Sequence, residues 1–420
     1  VYKYSKDQET RRESDLKVDV IYDKEYVAEQ VFIPKTGSEA FPAIDYLEIR
    51  KNDKDFQFVS GIKEDSDKYV HLIVGGTTDM AVAMAQTAAH ICHFPNFKDG
   101  RYRTIITFVD KSMSSWMSHF VCAYDNLFRL SHFKYISFSE GGKPLITYHT
   151  PDLDYGDFLD IEWEFVDADL CSTEFSPLLR DAIADDRQAL SVVICLPTQQ
   201  DCTFAATHLP ADIYWKGCPI FVHQQDHGDI LRQAARTHQF GNLHIFGMAS
   251  GLIGDALFVN RSTLGRRINF IYDQAQQKVE NRHKNEAEAW FDLREAHKFS
   301  SIYCANALPM RARSFGLDNF DLSHLQVSQR TSMYETEHRR WMMSSLLLGY
   351  RAMNTKYRNE LKSKRLDPST AKEADDVFRT LKTSFFLHMD ITPYEDLLPE
   401  EKDKDRIILD EISFILNRNE

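Results

Sequence analysis

The 420 residues contain no apolar run that approaches the roughly 18 a membrane helix requires. The chain therefore reads as soluble and cytoplasmic. It begins at Val1 rather than Met and shows no signal-peptide pattern. Both features suggest a fragment or processed chain, and a missing region upstream of Val1 could still hold membrane helices. Positive charge is in short supply: 50 Lys and Arg face 63 Asp and Glu, a net charge of −13. This balance excludes a nucleic-acid binder that relies on a broad basic surface. The seven cysteines are odd in number and scattered, with no Cys-x-x-Cys pair, so neither a zinc site nor a redox motif is indicated. Buried thiols in a reducing compartment are expected instead. There is no P-loop, no Gly-x-Ser-x-Gly elbow and no His-Glu-x-x-His, so no catalytic or metal-binding residues are assigned.

The chain is long for one core, and two or three domains are expected. After a charged arm, residues 18–67 mix short apolar stretches with turn residues, and residues 1–68 read as an N-terminal extension or small subdomain. From residue 69 the pattern alternates. Tyr69 to Gly76 is a buried strand entering a glycine turn, and Thr77-Thr78-Asp79 opens a helix through Met84 and Ala88. Further strands are predicted at Arg103–Asp110, Asp160–Asp169, Leu190–Leu196, Cys218–His223 and Leu243–Phe246. Helices are predicted at Phe175–Ile183, Asp201–His208 and Asp229–Arg236. This order implies an α/β domain over 69–250 with a parallel sheet covered on both faces. The aromatic-rich stretch from Lys111 to Tyr155 is longer than one crossover, and a helix with a short hairpin or loop packed on the sheet is expected there. Helices linking the sheet domain to the C-terminal end are predicted over 251–328.

A strand feeding a helix N-terminus at Gly75-Gly76-Thr77-Thr78 offers free N–H groups to a phosphate. Asp110, ending the second strand, is placed to accept from a ribose, and Asp167 ends the third. The Gly-x-Gly-x-x-Gly fingerprint is broken, since Thr77 and Met80 stand at the later glycine places. A Rossmann fold whose dinucleotide site has decayed fits the same residues. The order of elements from Tyr69 to Met248 resembles the nucleotide-binding regulatory domain of Trk-type potassium-transport regulators (the RCK family). That resemblance implies NAD, ADP-ribose or another nucleotide as ligand.

The C-terminal quarter, 329–420, carries a second set of motifs. Met333 to Leu348 has the spacing of an amphipathic helix with Gly349 as its stop. It contains Glu337-His338-x-x-Trp341 and is followed by Gly349-Tyr350-Arg351. Farther on stand His388, Pro393-Tyr394 and Leu398-Pro399-Glu400. In this order they resemble the RyR domain, the small helical repeat named after ryanodine receptors. Here a long charged insert separates Arg351 from His388. The resemblance implies that His338, Trp341, Tyr350, Arg351, His388 and Tyr394 come from neighbouring segments, where aromatic rings could stack a base and Arg and His pair a phosphate. A plain core fits them too, with Trp341 and Tyr394 as packing, His338 as a satisfied histidine, and Arg339, Arg340 and Arg351 solvated or paired with Glu335 and Glu337. Similar bacterial chains join the two kinds of domain.

Weaker candidates are His223 with Asp226 and His227, and His90 with His93, neither with metal-ligand spacing that is diagnostic. Two binding-type domains without a catalytic constellation imply a ligand-sensing regulator, and not an enzyme. Its partners would be a nucleotide-like small molecule, a second copy in a homodimer, and an effector such as a membrane channel. An NAD-dependent enzyme and a scaffold with decayed ligand sites are the alternatives.

Overall fold

The computed structural model describes residues 22–33, 41–45, 49–52, 55–58, 61–226, 228–247, 263–277, 280, 282–317 and 321–411. The charged arm, His227, the glycine-rich turn after residue 247, Val279, Ile412 and Ile415 lie outside them. A short antiparallel pair, β1 (Ile49–Asn52) and β2 (Asp55–Phe58), precedes the main sheet. That sheet consists of β3 (Tyr69–Gly75), β4 (Thr104–Asp110), β5 (His132–Phe138), β6 (Pro144–His149), β7 (Ile161–Asp167), β8 (Gln188–Ile194), β9 (Ile220–His223) and β10 (Leu243–Phe246). Its strand order is β10-β9-β8-β3-β4-β7-β5-β6, parallel throughout except for the last pair. Without the β5–β6 hairpin, the six remaining strands follow the Rossmann order 3-2-1-4-5-6. All six coincide with the runs expected from apolar patterning. The hairpin corrects the expectation for the aromatic-rich stretch: it extends the sheet beyond β7 instead of packing on a face.

Alternating residues of β3 enter two cores. Val70, Leu72 and Val74 join a cluster with the Asp79–Ile91 helix, whereas Ile73 faces a second cluster with the Phe175–Ala184 and Gln199–His208 helices. Burial on both faces explains why the central strands read as continuous apolar runs. One polar row interrupts the second face. His71 bridges Gln188 and Thr107, and Thr107 Oγ1 donates to Glu164, which pairs with Lys134.

The N-terminal helix Asp23–Phe32 packs Val27, Val31 and Phe32 into the first core, so this segment completes the sheet domain's own interior. Connecting helices Thr263–Gln276 and Glu295–Ser314 pack on each other and lead to the C-terminal module. The module's spine is the Val327–Leu347 helix, which ends as expected at Gly349, with a left-handed φ of +94°. Its Met342, Met343 and Leu346 enter the same core as the Asp79–Ile91 helix. Its other side meets the connecting helices and the Pro399–Asp410 helix. Cover on both sides replaces the simple amphipathic pattern read from sequence, and explains why Glu337, His338 and Arg340 are buried. The charged insert forms two helices, Thr355–Leu366 and Ala371–Phe385, held to the module by a two-residue parallel pairing of β11 (Arg351–Ala352) with β12 (Leu387–His388).

Candidate functional site

The sequence points to two places, and the structure treats them differently. At the strand edge, Gly76 has a φ of +108°, and a Cβ there would lie 2.4 Å from the Cys195 carbonyl oxygen. A Cβ at Gly75 would lie 2.6 Å from Leu170 Cδ2. Both glycines thus allow protein to approach protein. Thr78 caps the following helix through Ala81 N–H and donates to Cys195 O at 2.8 Å. Thr77 Oγ1 donates to Asp110 Oδ2 at 2.7 Å, and Tyr135 donates to Asp167 Oδ2 at 2.8 Å. Asp110 and Asp167 are direct neighbours in the β4–β7 register. Asp169 lies nearby, paired with Lys111 at 2.8 Å. The glycine turn and both acids do gather at one edge, but hydrogen bonds within the protein engage the carboxylates. Their charge opposes a pyrophosphate.

The second place is a cavity of about 230 Å³ between the connecting helices and the C-terminal module. His338 and Trp341 reach it from the Val327–Leu347 helix and His388 from β12, while Tyr272, His297, Ser300, Ser301 and Cys304 come from the connecting helices. Lys382 enters from the charged insert, and Asp390, Glu401, Lys404 and Asp405 complete the polar lining. Trp341 stacks beside the His338 ring with centroids 5.6 Å apart and is met edge-on by His388 at 5.0 Å.

Most charges in this lining are paired. Buried Glu337 holds Arg311 and Arg340; burial opposes its ionisation, but the two guanidiniums win and hold its carboxyl at about 2. Glu401 pairs with Lys404, and burial, helped by Glu401, raises the Asp390 carboxyl. His338 donates from Nε2 to Thr392 O at 2.8 Å, and its Nδ1 is 3.4 Å from Asp405. Two groups stand apart. Buried His388 accepts from Asp390 N–H at Nδ1, but its Nε2 has no hydrogen-bond partner among the described residues. Burial, then Lys382 and Lys404, hold the ring well below the usual histidine range, so it is neutral. No hydrogen bond or ion pair within the described residues engages the Lys382 ammonium, which is lowered first by burial and then by Lys404. A cation and a free imidazole nitrogen beside an indole can receive an anionic group and a planar ring. Burial pushes the Cys304 thiol well up, which makes it a poor nucleophile.

Of the six module residues singled out by sequence, His338, Trp341 and His388 line the cavity. The Tyr394 ring packs 5.9 Å from His338 and the Tyr350 ring 5.8 Å from His388, behind the lining. Arg351 points elsewhere: it is exposed and donates to Phe385 O at 2.9 Å. Arg340 pairs with Glu337 as expected, whereas Arg339 pairs with Asp160 and not with Glu335. His90 and His93 are structural, the first stacked on Tyr303 and bonded to Ser344, the second bonded to Asp160. Lys382 and Lys404 were missed, because a lysine in a charged stretch carries no sign of what it faces. Comparison with protein-family models, curated proteins and solved structures finds no match to this chain.

Proposed function

We propose that this chain is a ligand-sensing regulator, and that its ligand is a nucleotide-like anion held in the cavity between the connecting helices and the C-terminal module. The observation that carries this reading is the pair Lys382 and His388 Nε2, without partners among the described residues, in the cavity that Trp341 lines. The RyR-like and RCK-like motif orders support it. In this reading a phosphate neutralises Lys382 and accepts from His388, and a base lies against Trp341. The strand-edge turn has a structural part.

The spine helix supplies a route for the signal. Trp341 and His338 face the cavity, while Met342, Met343 and Ser344 face the sheet domain. A ligand that draws the connecting helices towards the module therefore loads the contact with the Asp79–Ile91 helix. The output would be an effector that recognises the altered sheet domain, such as a channel.

Thermal shift and calorimetry with NAD, ATP, ADP-ribose and cyclic nucleotides test the proposal. One of these is expected to raise the melting temperature of the wild type and to have no effect on a folded Lys382→Ala or Trp341→Ala variant. A shift that survives both changes but disappears in Asp110→Ala would move the site to the strand edge. Turnover of the bound ligand would make the protein an enzyme, and no shift with any ligand would leave a scaffold.

A further inference from the structure

The outermost strand of the sheet is unusually bare. All six residues of Pro144–His149 are exposed, including Leu145 (53%), Ile146 (42%) and Tyr148 (68%). Edge strands ordinarily carry charges, proline, bulges or a covering segment that prevents pairing with another chain; here the one such device is Pro144 at the start of the strand. This strand has no Asp, Glu, Lys or Arg, and its register against β5 is unbroken. Among the described residues its outer edge pairs with nothing.

The direction of its backbone groups follows from the register. Ser139 N–H donates to Lys143 O, so that pair is hydrogen-bonded, and bonded pairs recur at every second position. Leu145, Thr147 and His149 thus turn their N–H and C=O groups towards β5, whereas Pro144, Ile146 and Tyr148 turn theirs outward. Pro144 fits this phase, because its missing N–H costs the β5 pairing nothing; across the outer edge it leaves one bond of each 144–148 pair unmade.

We infer that β6 is the self-pairing edge of a homodimer: a second copy of the chain lies antiparallel to it about a two-fold axis at Ile146. The two Ile146 backbones then bond to each other, and each Tyr148 N–H donates to the Pro144 carbonyl of the second copy. Ile146 meets Ile146 on one face, and Tyr148 meets Pro144. The strand is thus complementary to itself, as a two-fold interface requires. Pairing at this edge also brings part of the exposed Ile146 and Tyr148 side chains against the second copy. The result is one sheet continuous through both copies.

Light scattering and sedimentation of the full chain across micromolar concentrations read this out without any ligand, so the outcome is independent of the cavity. Wild type is expected to give a concentration-dependent dimer. Tyr148→Pro removes an outward N–H that β5 does not use, and should give a monomer with unchanged circular dichroism and melting temperature. Should that variant fail to fold, residue-resolved hydrogen exchange of the wild type decides: the Ile146 and Tyr148 amides should be slow in the dimer and fast on dilution. A wild type that is monomeric throughout, a folded Tyr148→Pro that stays dimeric, or amides that exchange fast at every concentration would each overturn the inference.

Discussion

Arg339 Nε lies 3.1 Å from Asp160 Oδ2, joining the spine helix of the C-terminal module to the residue that precedes β7. His93 Nδ1 is 2.8 Å from the other oxygen of the same carboxylate, and Arg339 also donates to Phe94 O. The three side chains fasten the module to the sheet domain, and Asp160 is almost fully buried. Burial opposes its ionisation, but His93 and Arg339 outweigh that and hold it below the ordinary carboxylate range.

Asp160→Asn leaves the Arg339 guanidinium and the His93 ring without the carboxylate they share. Removing one partner of a buried pair costs about 3–5 kcal/mol. Urea unfolding should show a loss of that order, with the melting of the module and the sheet domain separating. A loss of under about 1 kcal/mol would show that the fastening lies elsewhere.

Glu337 predicts an acid limb of stability. Its folded carboxyl is held at about 2 against an ordinary 4.5. Because the folded value is the lower one, its stabilisation is complete above pH 4.5 and is lost as pH falls towards 2. A shift of this size corresponds to roughly 3 kcal/mol. Glu337→Gln should be less stable at neutral pH and show a flatter acid limb. Urea melts at several pH values test both features.

Lys382 predicts a separation of binding from stability. Burial and Lys404 disfavour its charged form, so the side chain is poorly placed for stability alone. Lys382→Met should melt at the wild-type temperature or slightly above it and bind the anionic ligand at least about tenfold more weakly, a loss of about 1.4 kcal/mol. Equal binding by both proteins would remove Lys382 from the site.

His388 predicts proton uptake on binding. Burial and the two lysines keep the ring neutral. An anion beside it favours the protonated form and raises its pKa. Affinity should therefore increase as pH falls towards that raised value, and calorimetry in buffers of different ionisation enthalpy should report uptake. Affinity that weakens as pH falls would contradict the geometry.

Periodicity in the sequence was enough to locate the six core strands and most of their helices, because it records how many sides of a segment are buried. The motif order around Trp341 likewise led to three residues that line the cavity. Which neighbour does the burying is a tertiary matter. Val327–Leu347 lies between the sheet domain and the connecting helices, so an apparent one-sided stripe became a helix covered on both sides. Gly75 and Gly76 resembled a phosphate turn, yet the fold uses them to bring Leu170 and Cys195 close. Lys382 was one charge in a long charged insert until folding placed it against the cavity, where no ion pair among the described residues engages it. Local patterns record burial and backbone preference over a few residues. Charge pairing depends on distances between segments far apart in the chain, and only the packed structure sets those.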